Sequence, residues 1–108
     1  TEVAVDTDLH DLIQNAATIT RNCWKELAVV QLELTPEVTL IQGFPAELSQ
    51  VFLNLFVNAA DAIGERIGRT PQQLGKISVR TKRCGDHTVI EFEDSGSGIP
   101  TRVRDRIF

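Results

Sequence analysis

Two groups of residues stand out for the chemistry that their types and spacing allow. Glu47, Gln50, Asn54, Asn58 and Asp61 interrupt the most apolar stretch of the chain, Leu48 to Ile63. At ~100° per residue these five positions fall within one arc of about 80°, so a helix here is apolar almost all round and keeps one narrow polar stripe. Asn and Asp are poor residues for a helix interior, and a solvated stripe is usually filled with Lys, Glu, Gln or Ala. A buried amide left without a partner costs roughly 1 to 3 kcal/mol, so the stripe meets water, a neighbouring strand or a polar ligand. In the last case the side-chain oxygen of an asparagine at i+4 supplies a neutral, hard ligand to a Mg²⁺ ion that already carries phosphate oxygens and waters. The second group is Asp94-Ser95-Gly96-Ser97-Gly98-Ile99-Pro100. Glycine lets backbone approach a ligand closely, so Gly96 and Gly98 allow a tight loop beside a flat ring, and Asp94 is an acceptor for an exocyclic amine such as that of adenine. An ordinary Asp/Ser/Gly turn reads the same way. The segment is neither an EF-hand, lacking alternating acidic ligands and a closing Glu, nor a phosphate-cradling loop ending in Gly-Lys-Ser/Thr.

The elements around these groups follow from periodicity. Leu9, Leu12, Ile13, Ala16, Ala17, Cys23, Trp24 and Leu27 largely fit helical spacing, which predicts an amphipathic helix over 7–27, capped by Asp6 or Thr7 and covering a sheet. Val29 to Thr35 and Val38 to Ile41 read as short strands separated by Pro36. Pro45 suits the first turn of a helix and Glu47 its positive end, so the long helix starts there and runs to about Gly64. Polar residues 65–75 read as a loop. Strand alternation returns over Lys76 to Lys82 and Thr88 to Glu93, with Gly85-Asp86 as a hairpin turn, and a short helical tail is expected over 101–108.

Composition sets outer limits. A chain of 108 residues with 42% hydrophobic and 24% charged residues makes one folded domain. Eleven basic against fifteen acidic residues, a net charge of -4, speak against a nucleic-acid partner. No apolar run reaches the ~18 residues that span a bilayer, and Thr1-Glu2-Val3-Ala4 lacks the pattern of a secretory signal. Cys23 and Cys84 form no metal or disulfide pattern, and reduced thiols fit a cytoplasmic setting.

In this order the segments resemble a known family. Residues 47–62, from Glu47 through Asn54-Leu55-Phe56-Val57-Asn58-Ala59-Ala60-Asp61 to Ala62, look like the N box, and 94–100 like the G1 box, of the ATP-binding domain of sensor histidine kinases; Arg104-Asp105-Arg106-Ile107-Phe108 looks like the beginning of the F box. The Asn-Ala-Ala-Asp-Ala form is similar to the nitrogen-regulation-type and other PAS-linked branch. The resemblance covers nearly the whole chain. It implies the Bergerat fold, an α/β two-layer sandwich with helices on one face of a mixed sheet, and ATP with Mg²⁺ as ligands. Carried over residue by residue, Asn58 is the Mg²⁺ ligand, Asn54 lines the phosphate region, Asp94 binds the adenine amine, Gly96 and Gly98 shape that wall, and Ile99 packs on the base. Asp61 stands where many relatives place a basic phosphate contact; a carboxylate cannot attract phosphate, which leaves a contact through water or Mg²⁺.

The family places a second glycine box, a mobile lid over the phosphates and the last strands after the F box, so residues 1–108 are expected to be a domain incomplete at its C-terminus. A phosphoacceptor box is lacking: His10 is followed by Asp-Leu-Ile-Gln with no proline, and His87 falls in the hairpin turn. The resemblance therefore implies a fragment inactive alone, whose parent, membrane-anchored in many relatives, transfers the ATP γ-phosphoryl group to a histidine in its phosphoacceptor and dimerisation domain for relay to a response regulator. The alternative is a non-catalytic module of the same fold that senses nucleotide or binds a protein. A gyrase-like ATPase is disfavoured because that group has a glutamate base where this chain has Asn54. Missing final strands would leave an exposed sheet edge and favour self-association.

Overall fold

Strand alternation and one long helix dominate a computed structural model that describes residues 3–67 and 74–96 and the backbone of 101–106. In chain order the elements are β1 (Val5–Asp8), α1 (Leu9–Ile19), α2 (Arg21–Trp24), β2 (Ala28–Glu33), β3 (Leu40–Gly43), α3 (Pro45–Ile67), β4 (Gly75–Cys84), β5 (His87–Asp94) and β6 (Thr101–Arg106). The main sheet runs β2-β4-β5-β6; β2 is parallel to β4 and the other pairs are antiparallel, while β1 and β3 form a separate antiparallel ribbon. Gly85 turns the β4–β5 hairpin with φ of 63°, in the left-handed region that glycine enters without steric cost.

Register decides which residues share a face. Ile77 and Val79 of β4 stand opposite Asp94 and Phe92 of β5 and opposite Val30 and Leu32 of β2. This face is covered by α3. Phe92 stacks on Phe52, with ring centroids 5.9 Å apart, and meets Phe56 edge-on at 5.2 Å. Both helix phenylalanines are fully buried, and Leu9, Ile13, Ala16 and Ala17 of α1 close the same core. The other face is polar: Lys82 pairs with Glu91 at 2.8 Å and Arg80 with Glu93 at 3.6 Å across the β4–β5 ladder.

Three sequence expectations change. The helix expected over 7–27 starts later and breaks: Val5–Asp8 is strand β1, and Asp8 rather than Asp6 or Thr7 caps α1, accepting the Asp11 N–H at 3.0 Å. Thr20 caps the end of that helix, its N–H making the last i→i−4 bond to the Ala16 carbonyl at 3.1 Å and its hydroxyl donating to the same oxygen at 2.7 Å. Trp24 then ties α2 back through Nε1–H to the Ala17 carbonyl at 3.1 Å. Second, α3 continues past Gly64 to Ile67; a helix-interior glycine costs ~1 kcal/mol relative to alanine, too little to stop a helix packed along its length. Third, the tail expected to be helical is strand β6, whose pairing satisfies the backbone groups that β5 would otherwise present as an edge.

The aromatic contact makes a direct test. Phe56→Ala is expected to destabilise the fold by about 3 to 5 kcal/mol, whereas Val51→Ala, on a residue 40% exposed, costs less than about 1 kcal/mol. Urea unfolding midpoints compare the two; similar losses would mean that α3 is not anchored through this ring cluster.

Candidate functional site

The polar stripe of α3 lies opposite its buried face. Phe52, Phe56, Ala59, Ala60 and Ile63 are buried, and Glu47, Gln50, Asn54, Asn58 and Asp61 are all exposed. Among the described residues no strand covers the stripe, so of the partners open to it in sequence, water or a ligand remains. Gln50 donates to the Asn54 side-chain oxygen at 2.9 Å, one turn along the helix.

The glycine segment meets the same helix at its other end. Asp94 is the last residue of β5, half-buried, on the sheet face that α3 covers. Two residues later, a Cβ on Gly96 would lie 2.5 Å from the Ala62 carbonyl carbon and 2.5 Å from the Ile63 nitrogen, so only glycine allows this approach to the helix backbone. Ser95 extends the ladder by one step: its N–H donates to the Lys76 carbonyl at 3.0 Å and its hydroxyl accepts the Lys76 N–H at 3.0 Å. Gly75, at the start of β4, is also tight, since a Cβ there would lie 2.5 Å from Ile63 Cγ2. Arg66 donates to the Ser95 carbonyl from the last turn of α3. Asp61 adjoins the Ala62 contact, and the stripe from Asp61 back to Asn54 spans ~10 Å of helix axis. A half-buried carboxylate thus lies at the strand terminus that meets the last turns of α3, the helix whose exposed side carries the row of amides. Gly98 and Ile99 lie outside the described residues.

The donor chemistry suits a ligand that brings its own charge. Among the described residues no group of three or more His, Cys, Asp or Glu side chains could hold a metal ion. A single amide oxygen from Asn58 completes a Mg²⁺ shell only when other oxygens arrive with the ligand, as those of a polyphosphate do. An open groove elsewhere, lined by Leu32, Leu34, Arg80 and Lys82 among others, contains none of the motif residues. His10 is half-buried and bonds through Nε2 to the Thr35 carbonyl at 3.1 Å, tying α1 to the β2–β3 loop. His87 is exposed and sits 2.7 Å from Asp86. Cys23 and Cys84 are exposed and free. Sequence reasoning missed Ser95, Gly75 and Arg66; the glycine before a strand was the one available signal, and nothing marked Arg66.

Comparison with known proteins bears on the family and the fold. Residues 43–108 match the family of histidine kinase-, DNA gyrase B- and HSP90-like ATPases. The chain is 42% identical over 82 residues to the sensor histidine kinase ZraS of Salmonella typhimurium, a match covering 73% of the chain and 16% of ZraS. It superposes on the nucleotide-free catalytic domain of histidine kinase ThkA with a TM-score of 0.72 at 18% identity, covering 88% of the chain and 61% of that domain. A second ThkA structure, in complex with the response regulator protein TrrA, matches with a TM-score of 0.70 at 18% identity, over 85% of the chain and 25% of that one. The Bergerat-type sandwich expected from the sequence is the fold observed.

Stability measurements separate the two halves of the site. Asn54→Ala, Asn58→Ala and Asp61→Ala replace poor helix formers at exposed positions and are expected to leave stability unchanged or raise it by about 0.5 kcal/mol each. Gly96→Ala pushes a methyl group into helix backbone and is expected to cost about 1 to 3 kcal/mol. Urea titrations of the four variants check this; a loss at Asn58 as large as that at Gly96 would make the stripe a structural element.

Proposed function

Because the chain belongs to the histidine kinase-, DNA gyrase B- and HSP90-like ATPase family, we propose that it is the ATP-binding catalytic portion of a sensor histidine kinase, whose whole protein passes the γ-phosphoryl group of ATP to a histidine for relay to a response regulator. The observation that carries this reading is the Gly96 contact, which sets Asp94 at the end of the helix that bears Asn54, Asn58 and Asp61. Asp94 accepts a hydrogen bond from the adenine amine, and Gly96, with Gly98 and Ile99, forms the wall against the base. Asn54 lines the phosphates, and Asp61 reaches them through water or a cation. Asn58 holds Mg²⁺ through its amide oxygen. Bound with the nucleotide, Mg²⁺ neutralises triphosphate charge and so favours phosphoryl transfer. The residues of this chain bind and orient; with asparagine rather than glutamate at 54 the stripe has no general base there for activating water.

The acceptor histidine belongs to the phosphoacceptor and dimerisation domain of the parent kinase, since His10 is engaged with Thr35 and His87 stands at the hairpin. A response regulator is the downstream partner, a role supported by the ThkA–TrrA complex. No helix among the described residues is long and apolar enough to cross a membrane, and we place this part of the kinase in the cytoplasm, where ATP is available, whether or not the parent is membrane-anchored. Self-association is proposed through β2, the edge of the main sheet opposite β6. An antiparallel β2–β2 pairing centred on Gln31 sets Val30 against Leu32 and Val29 against Glu33, so that no like charges face each other.

Two experiments test these statements. Titration with an ATP analogue is expected to show binding that Asp94→Asn weakens tenfold or more, about 1.4 kcal/mol, with or without Mg²⁺. Asn58→Ala weakens it only when Mg²⁺ is present. Undiminished affinity in either variant would overturn the assigned role. Sedimentation of the chain at high concentration is expected to show dimers that Val30→Pro abolishes; a strictly monomeric wild type would count against β2 pairing.

A further inference from the structure

Arg66 lies off the polar stripe yet reaches the loop that carries the base-binding carboxylate. On α3 it is about 120° around the helix axis from the centre of the stripe, so it does not extend the row formed by Asn54, Asn58 and Asp61. Its guanidinium instead donates to the carbonyl of Ser95, the residue between Asp94 and Gly96. That peptide is held on its other side as well, by the two hydrogen bonds between Ser95 and the Lys76 backbone and by the close approach of Gly96 to Ala62 and Ile63. The Arg66 bond is the one tie in this set made by a long side chain of α3, and it fixes the direction of a carbonyl just beyond the strand.

We propose that Arg66 is a positioning residue for nucleotide recognition, clasping the Ser95 carbonyl so that the Asp94–Gly96 wall is held against α3 in its base-binding form. The inference rests on the reading of Asp94 as the adenine ligand. Arg66 is exposed, so its bond adds little to global stability. Its effect is on the fraction of molecules whose loop is already arranged, and apparent affinity falls in proportion to that fraction. A cation in the last turn of a helix also interacts favourably with the helix dipole, but that interaction would not report at the loop. The clasp therefore predicts a loss that depends on the base and is independent of the number of phosphates.

Two measurements on wild type, Arg66→Ala and Arg66→Lys test this. The first is amide hydrogen exchange of the ligand-free chain. Arg66→Ala is expected to speed exchange at Ser95 and Gly96, leaving Phe52 and Phe56 unchanged, and Arg66→Lys, which keeps a donor, restores part of the protection. The second is titration with adenosine, ADP and ATP, where Arg66→Ala is expected to weaken all three by a similar factor, about three- to tenfold. A loss that grows with the number of phosphates would overturn the inference by making Arg66 a direct phosphate contact. Unchanged exchange at Ser95 and Gly96 would overturn it as well, as would unchanged affinity. If the wild-type chain binds none of the three ligands, the ATP reading falls, and the clasp stands or falls on hydrogen exchange.

Discussion

The geometry of the site depends on a contact between two pieces of main chain. Gly96 approaches the Ala62–Ile63 peptide so closely that a Cβ would stand 2.5 Å from its atoms. Backbone has no rotamers, so a contact of this kind sets a distance that side-chain repacking cannot adjust. The sheet contributes Asp94 at the end of β5 and the helix contributes its row of amides; the approach of Gly96 fixes where the strand end meets the helix. Gly75, one strand away, is also tight, in its case against the side chain of Ile63. Both glycines meet the helix at Ile63, which is itself buried, so the hydrophobic core and the junction share one anchoring residue.

Division of labour within α3 follows. Its inner face packs Phe52 and Phe56 on Phe92, and α1 adds Leu9 and Ile13 to the same core. Burial of these side chains holds the helix, so its outer face is free to carry residues that weaken helices. Asn54, Asn58 and Asp61 have no packing duty, and their low helix propensity is tolerated because tertiary contacts, rather than propensity, hold most helices in proteins. The opposite face of the sheet is arranged differently: Lys82–Glu91 and Arg80–Glu93 neutralise one another across β4 and β5, leaving those cations engaged within the ladder.

Much of this was legible from residue order. The polar arc on an apolar helix, the hairpin at Gly85 and the glycine segment after a strand are local patterns, and each is found where periodicity placed it. What escaped is non-local. Strand β1 has four residues and exists because Val5 to Asp8 pair with Gly43 to Leu40, far along the chain. The break after α1 comes at Thr20, where α2 is tied back by Trp24 to the Ala17 carbonyl, a contact that helical spacing does not register. Residues 101–106 contain too little alternation to announce a strand, and the β5 edge recruits them. Arg66 sits in a polar run that reads as loop, and its partner is 29 residues away.

Charge determines how such a surface can hold a polyphosphate. The stripe contains amides and carboxylates and no cation, in a chain whose net charge is -4. A tetra-anionic ligand would be repelled by Asp61 and Glu47 at close range, weakly in water and more strongly where water is displaced. Attraction would then come from a divalent cation arriving with the ligand and from main-chain N–H groups, whose dipoles add no net charge. In the proposed reading Mg²⁺ would be part of the recognised ligand. In that reading the base, by contrast, would be recognised by Asp94, whose place is set by the Ser95–Lys76 bonds and the Gly96 contact and owes nothing to the cation. Recognition as proposed would therefore divide into a metal-dependent half on α3 and a metal-independent half at the end of β5.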